Sequence, residues 1–232
     1  MKLITSQAIT GVTASSANSG YTAANVLDDK PSKVWLSLSP ASTLTLATSG
    51  ACQALAIFNT NARSVSADIW AGSSRISYQS FTLDYDRLWV DFTRQTSPLT
   101  IILSFLSANS DPIYAGVVRC GDILPLPGPN EDFKASRDDQ SIRYTMSDGS
   151  LQQYAKARPR TQQYTTTLTN AEAASLDVLY ESLGQDPIPW DPMEDADDPM
   201  YYIGLYHMID PPGFGRKYRN RIDTSINLRE AV

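Results

Sequence analysis

The sequence predicts a mainly β protein: two antiparallel β-sandwiches in series, the second carrying one helix. Three observations predict it. From Leu3 to about Leu124 nearly every segment is a short apolar or alternating run, at the spacing of an all-β sandwich. The stretch Leu124-Pro-Leu-Pro-Gly-Pro-Asn130 then places three prolines where neither a helix nor a central strand tolerates them, so it reads as a stiff connection. After it comes a single convincing stretch of helical period, between Thr169 and Gly184. A chain of 232 residues suits two modest domains, each with its own core, with expected bounds of 1–124, a Pro-rich linker at 125–130, and 131–232.

In the first half, Thr43-Leu-Thr-Leu46 alternates, Ala54-Leu-Ala-Ile-Phe58 is a buried run, and Val65-Ser-Ala-Asp-Ile-Trp70 continues the rhythm. Runs at 76–83, 88–92, 100–105 and 113–118 follow, with Ser-, Asn- and Gly-containing joints such as 14–20 and 59–63 supplying turns. The polar stretch Asn25-Val-Leu-Asp-Asp-Lys-Pro-Ser-Lys-Val-Trp35 reads as a rigid loop. Asp28, Asp29 and Ser32 can fold back on nearby backbone N–H groups, Pro31 fixes φ, and Trp35 enters the core.

In the second half, Ser141-Ile-Arg-Tyr-Thr-Met146 and Leu151-Gln-Gln-Tyr154 flank Asp148-Gly149, a hairpin signal. Arg160 to Leu168 is a polar strand rich in β-branched residues. Thr169 is placed as an N-cap with Glu172 three residues on, a capping box, and Gly184 is placed to end the helix. Leu176, Leu179, Tyr180 and Leu183 give that helix one apolar face. A strand at 200–206, a Pro- and Gly-containing loop at 211–215, and a long alternating strand from Arg216 to about Leu228 close the chain.

Charge is informative by position. The first 124 residues carry eight basic and eight acidic side chains, so the net charge of −6 lies wholly in the second half. No Lys or Arg occurs between Arg160 and Arg216, whereas ten acids lie from Glu172 to Asp210. An acidic chain without a broad basic surface is a poor nucleic-acid binder, because phosphate neutralisation supplies most of that affinity. There is no 18-residue apolar run and no signal-peptide pattern at the start, so the expectation is a soluble chain, with no membrane insertion, made in the cytosol.

The inventory for catalysis is thin, and the expectation is a non-enzyme. His207, the single histidine, sits in the aromatic strand Tyr206-His-Met-Ile and reads as structural. No nucleophile elbow, catalytic Cys signature or phosphate-cradling Gly-rich loop occurs. Cys52 and Cys120 sit in apolar runs and are expected to be buried free thiols. The acidic run 191–198 lacks calcium-loop spacing and reads as solvated, and nothing selects a hydrolytic pair among it, Asp84, Asp86 and Asp91. Trp70, Tyr78, Tyr85 and Trp89 alternate with polar residues. They stack on sugars if they face outward, or fill the core; the strand period favours the core for Trp70 and Trp89.

Thr13-Ala-Ser-Ser-Ala-Asn-Ser-Gly-Tyr21, the loop 25–35 and the strand succession resemble the discoidin or galactose-binding-like β-sandwich (a jelly roll), over roughly half the chain. Asp29 stands where that family commonly has Gly, and Lys33 where it commonly has Thr. The resemblance implies one possible cofactor, a structural Ca²⁺ at Asp28 and Asp29; the other reading makes Asp28 and Trp35 simple anchors. The layout of the second half, with Arg158-Pro-Arg-Thr-Gln-Gln-Tyr and the closing Ile-Asp-Thr-Ser-Ile-Asn-Leu, resembles the tail-tube and distal-tail proteins of long-tailed phages and prophages.

That second resemblance implies a structural, non-catalytic subunit of a tail tip or baseplate, linking the tail tube to the tip or fibres within the virion. Its partners would be copies of itself in a three- or six-fold ring, the tail tube, the tip hub and the fibres. Arg216, Lys217, Arg219 and Arg221 would then meet Asp195, Asp197 and Asp198 of the next subunit, or else pair within the chain or stay solvated. The alternative is a carbohydrate-binding adaptor that attaches to host-surface glycans.

Overall fold

The computed structural model describes residues 1–130, 133–138, 142–145, 151–154, 159–184, 186–192, 199–218 and 220–231, with backbone alone at 142–145, 151–154, 199–200 and 216–218. The chain is mainly β, as expected, and the strand ladders given below are antiparallel. It divides into two compact units: residues 1–126 together with 188–205, and residues 127–187 together with 206–232.

The first unit contains β1 (Lys2–Ile4), β2 (Ile9–Ala14), β3 (Trp35–Leu36), β4 (Ala41–Thr48), β5 (Cys52–Thr60), β6 (Ala62–Ala71), β7 (Ser74–Thr82), β8 (Arg87–Gln95), β9 (Thr100–Ser107), β10 (Tyr114–Gly121) and β11 (Ile123–Pro125). A five-stranded sheet, β2-β4-β9-β6-β7, faces a four-stranded sheet, β3-β10-β5-β8. Alternation builds the core between them. Leu44 and Leu46, Val65, Ala67 and Ile69, and Ile101, Leu103 and Phe105 point inward from one sheet. Trp35, Leu55, Ile57, Leu88, Val90 and Val118 meet them from the other. Trp35 is fully buried, tilted against Phe105 at 5.7 Å between centroids, and its Nε1 donates to Ser16 O at 2.9 Å.

The loop before Trp35 is fixed from three sides. A single 3-10 turn, Ala23–Leu27, precedes it. Asp28 Oδ1 accepts from Lys30 N at 3.1 Å, the local turn its sequence predicted. Asn59, at φ 56°, donates from Nδ2 to Pro31 O at 2.6 Å. Arg119, buried on β10, pairs with Asp29 and donates to Leu27 O at 3.2 Å. Gly116 leaves the room this docking needs, since a Cβ there would lie 2.5 Å from Pro31 O.

Ala54, Ala56, Phe58, Trp89 and Val117 are buried too, on the face of the four-stranded sheet turned from this core. β1 approaches that face at β10, β11 at β5, and the short helix α2 (Pro199–Tyr202) at β8, while β16 (Ile188–Asp191) lies beside β1. β1 pairs with β11, Lys2 opposite Pro125, and with β16, Leu3 opposite Trp190. Lys2 Nζ reaches Asp91 Oδ2 at 2.6 Å, and Arg87 Nη1 donates to Ile203 O at 2.8 Å. Residues 188–205 thus complete the first unit, although in sequence they lie inside 131–232.

The second unit holds β12 (Lys134–Arg137), β13 (Ile142–Thr145), β14 (Leu151–Tyr154), β15 (Arg160–Thr169), α1 (Asn170–Leu183), β18 (Gly213–Tyr218), β19 (Arg221–Glu230) and the end of β17 (Gly204–Met208). β15 and β19 form its longest ladder, from Thr161 opposite Arg229 to Thr169 opposite Arg221. β13 and β14 pair as the Asp148-Gly149 signal predicted; the turn itself lies outside the described residues. The capping box on α1 is present: Thr169 Oγ1 accepts from Glu172 N, and Glu172 Oε2 accepts from Thr169 N. Ala173, Leu176 and Leu179 are its buried face, and Gly184 ends it at φ 58°.

The Pro-rich stretch is held rather than free. Leu126 N donates to Met1 O in the first unit. Asn130 N donates to Thr165 O, and Thr166 Oγ1 to Gly128 O, in the second. Proline carbonyls still accept hydrogen bonds, so an edge position suits β11.

Candidate functional site

The outer face of the five-stranded sheet is where aromatic and charged side chains meet in the open. Val65, Ala67 and Ile69 point into the core, so their neighbours on β6, among them Asp68 and Trp70, point out. The two-residue turn Gly72-Ser73, with Gly72 at φ 59°, folds β7 back on β6. In that register Tyr78 lies opposite Asp68 and, across an irregularity after Ile69, Arg75 lies opposite Trp70.

Four side chains converge there. The Arg75 guanidinium lies 5.0 Å from the Trp70 ring centroid and 5.4 Å from that of Tyr78. Its Nη2 donates to Asp68 Oδ2 at 2.7 Å. The Asp68 side chain is 18% exposed and that of Arg75 52%, and Tyr78 is 56% exposed, so ring and guanidinium form an open platform with a carboxylate beneath. Cation–π contact of this kind contributes about 0.5–1 kcal/mol at exposed sites. Two polar atoms at its base, Asp68 Oδ1 and Trp70 Nε1, are buried with no hydrogen-bond partner. Each such group costs about 1–3 kcal/mol, so the cluster is chemically unfinished.

The remaining sequence candidates fall elsewhere. Trp89 is buried, with Nε1 donating to Asp91 Oδ1 at 2.6 Å, but on the sheet face turned from the sandwich core rather than in that core, where the strand period had placed it. Trp70 is not in the core, because Ile69 holds the inward position beside it. Tyr85 is half-buried, edge-on to Tyr201 at 5.9 Å. A cavity of about 90 Å³ bounded by Phe81, Leu83, Tyr85 and Leu88 is well below the several hundred Å³ typical of small-molecule pockets.

Asp28 and Asp29 each face a cation of the protein itself. Lys33 Nζ lies 2.7 Å from Asp28 Oδ2 and holds that carboxyl below its usual pKa, while Asp29 pairs with Arg119. Among the described residues no three His, Cys, Asp or Glu side chains gather as a metal cluster. Asp195, Asp197, Asp198 and Arg219 lie outside the described residues, as do the side chains of Arg216 and Lys217. Arg221 is exposed at the start of β19. His207 is half-buried on β17, opposite Arg229. Cys52 and Cys120 are buried free thiols, and the hydrogen bond between them, with burial, pushes Cys120 up.

A broader groove of about 530 Å³ crosses the second unit, lined by Lys134, Ser136, Thr161, Gln163, Asp210 and Asn227 among others. Its polar groups serve one another: Ser136 and Thr161 hydroxyls lie 2.7 Å apart, and Asn227 Nδ2 donates to Asp210 Oδ2 at 3.0 Å. The platform on β6 and β7 differs in setting an unsatisfied donor and an unsatisfied acceptor side by side on one face of one strand. Sequence reasoning singled out Trp70 and Tyr78 but passed over Asp68 and Arg75. The available signal was the Gly72 turn, which sets 75 across from 70; bringing 78 across from 68 takes the irregularity after Ile69 as well.

No family profile matches the sequence, and no curated protein does. Among solved structures, a chitosan-binding module from a chitosanase/glucanase of Paenibacillus sp. IK-5 aligns with 51% of this chain and 98% of its own, at 13% identity and a TM-score of 0.42. A pectin-binding carbohydrate-binding module aligns with 53% of this chain and 96% of its own, at 18% identity and a TM-score of 0.42. A fucose-binding module of Streptococcus pneumoniae aligns with 50% and 98%, at 14% identity and a TM-score of 0.41. At these identities and scores the ligands named belong to those modules alone.

Proposed function

We propose that this protein is a non-catalytic glycan-binding adaptor whose contact surface is the outer face of β6 and β7. The observation that carries the reading is the Arg75 guanidinium held against both Trp70 and Tyr78, with the Tyr78 ring more than half exposed. Sugar rings offer C–H faces that pack on flat aromatic groups and hydroxyls that need a donor and an acceptor at the rim, and this cluster supplies both. The test is a screen of immobilised glycans with the wild-type chain and Tyr78→Ala. A carbohydrate held at millimolar affinity or better by the wild type and lost in the variant supports it; no retention of any glycan by the wild type sinks it.

A second reading is the ring-forming tail-tip subunit of a long-tailed phage. What supports it is an exposed apolar pair in the second unit, Ile209 and Phe214, flanking the loop between β17 and β18, where two copies can meet. The two readings coexist if the ring displays the glycan-binding face outward. Light scattering at two salt concentrations tests assembly, with Ile209→Asp and Phe214→Ser as the disrupting pair. A particle that stays monomeric beside purified tail proteins removes the ring.

A further inference from the structure

Resting on the glycan-binding reading, we infer that Trp70 Nε1 and Asp68 Oδ1 are the polar receptors of that site, that they take two adjacent hydroxyls of an uncharged pyranose, and that Arg75 is the movable member covering them. The argument begins with two groups that have nothing to bond. Trp70 Nε1 can only donate and ionised Asp68 Oδ1 can only accept, and both are buried without a partner. They stand two residues apart on one strand and therefore on one face of it.

A hydroxyl both donates and accepts, so a pair of neighbouring hydroxyls satisfies both groups: one gives its hydrogen to Asp68 Oδ1, the other receives that of Trp70. A carboxylate cannot, because it has no hydrogen for Asp68 Oδ1 and would stand beside a like charge. An ammonium group cannot accept from Trp70. The charge of the cluster agrees, since Arg75 already neutralises Asp68 through its 2.7 Å contact. A neutral ligand therefore leaves that balance intact, whereas a uronate adds an unmatched negative charge to a chain of net charge −6.

Arg75 is the side chain in contact with all three other members, and it is about half exposed on a long flexible stem. Swinging its free edge outward, with Nη2 still on Asp68 Oδ2, uncovers Asp68 Oδ1 and the indole edge while Tyr78 stays as the stacking floor. Of its five N–H donors, Nη2 serves Asp68, so the displaced guanidinium can turn another donor onto a ligand oxygen.

The experiment titrates methyl galactoside, methyl glucoside, methyl mannoside, their 3-deoxy analogues and galacturonate into wild type, Trp70→Phe and Asp68→Ala by ligand-observed NMR, with thermal melting of each variant. The expected result is binding of at least one neutral glycoside, weakened tenfold or more in both variants and in its 3-deoxy analogue. Trp70→Phe keeps an aromatic face and removes an unsatisfied donor, so it melts no lower than wild type while losing affinity. A merely structural role for Trp70 produces the opposite pattern. If wild type binds glycosides and both variants bind equally well, or if galacturonate alone binds, the receptor assignment is overturned while glycan binding stands. If wild type binds no glycan here or in the broad screen, the glycan reading itself falls.

Discussion

Gly116→Ala tests the docking of the 28–33 loop most directly. The added methyl would sit 2.5 Å from Pro31 O, 3.1 Å from Asn59 Cβ and 3.2 Å from Phe58 O. Ordinary contact begins near 3.4 Å, so the Pro31 carbonyl must retreat by roughly 1 Å, and it is backbone rather than a flexible side-chain tip. Overpacking of this kind costs about 1–3 kcal/mol. Retreat also stretches the 2.6 Å bond from Asn59 Nδ2, whose loss adds about 0.5–1.5 kcal/mol. The sum, about 1.5–4.5 kcal/mol, should lower the melting temperature of the first unit by roughly 5–15 °C, followed through tryptophan fluorescence since Trp35 closes that loop. Gly128→Ala is the control, because no atom lies within 4 Å of a Cβ there. A Gly116→Ala variant that melts with wild type would refute the account of how the loop is held.

Further expectations follow from the same geometry. Thr169→Ala removes the side-chain half of the capping box and should cost about 1 kcal/mol, read as loss of helical signal at lower urea concentration. Glu230→Gln removes the carboxylate charge that the buried Arg160 guanidinium contacts at 3.0 Å through Nε; a loss of about 2–3 kcal/mol in the second unit is expected, and an unchanged denaturation midpoint would count against it. Arg94 grips Asp122 with two hydrogen bonds and holds its carboxyl below the usual 3.8; Lys33 does the same for Asp28. A depressed folded pKa contributes stability above the unfolded value that is lost as pH falls through the folded one. The melting temperature should therefore drop on going from about pH 6 to about pH 3, and Asp122→Asn should flatten that drop.

What was legible in the sequence was local. Thr169, Glu172 and Gly184 announce α1 because cap, box and stop lie within one helix, and Asp28 announces its turn because the acceptor finds a donor two residues on. Alternation in Val65, Ala67 and Ile69 assigns their faces correctly, but the same alternation turns Trp70 outward, where the period had been taken to favour the core. The Arg75 platform depends on a cross-hairpin register containing an irregularity, which residue spacing along one strand does not reveal. Arg119 sits inside an apolar run, and its counter-charge Asp29 lies ninety positions earlier, so neither advertises the other. The placement of 188–205 escaped for the same reason: Trp190 pairs with Leu3, at the far end of the chain.

That last pairing has a consequence for how the protein is made. The strand that completes the first unit leaves the ribosome about 190 residues after β1, an interval of roughly 10–40 s at ordinary elongation rates. Until then Phe58, Trp89 and Val117 lack their full cover, and the nascent chain presents an apolar sheet face to its surroundings. A holdase that recognises such surface has its longest opportunity during that interval. A chain that ends before residue 188 lacks the segment 188–205 that completes the first unit.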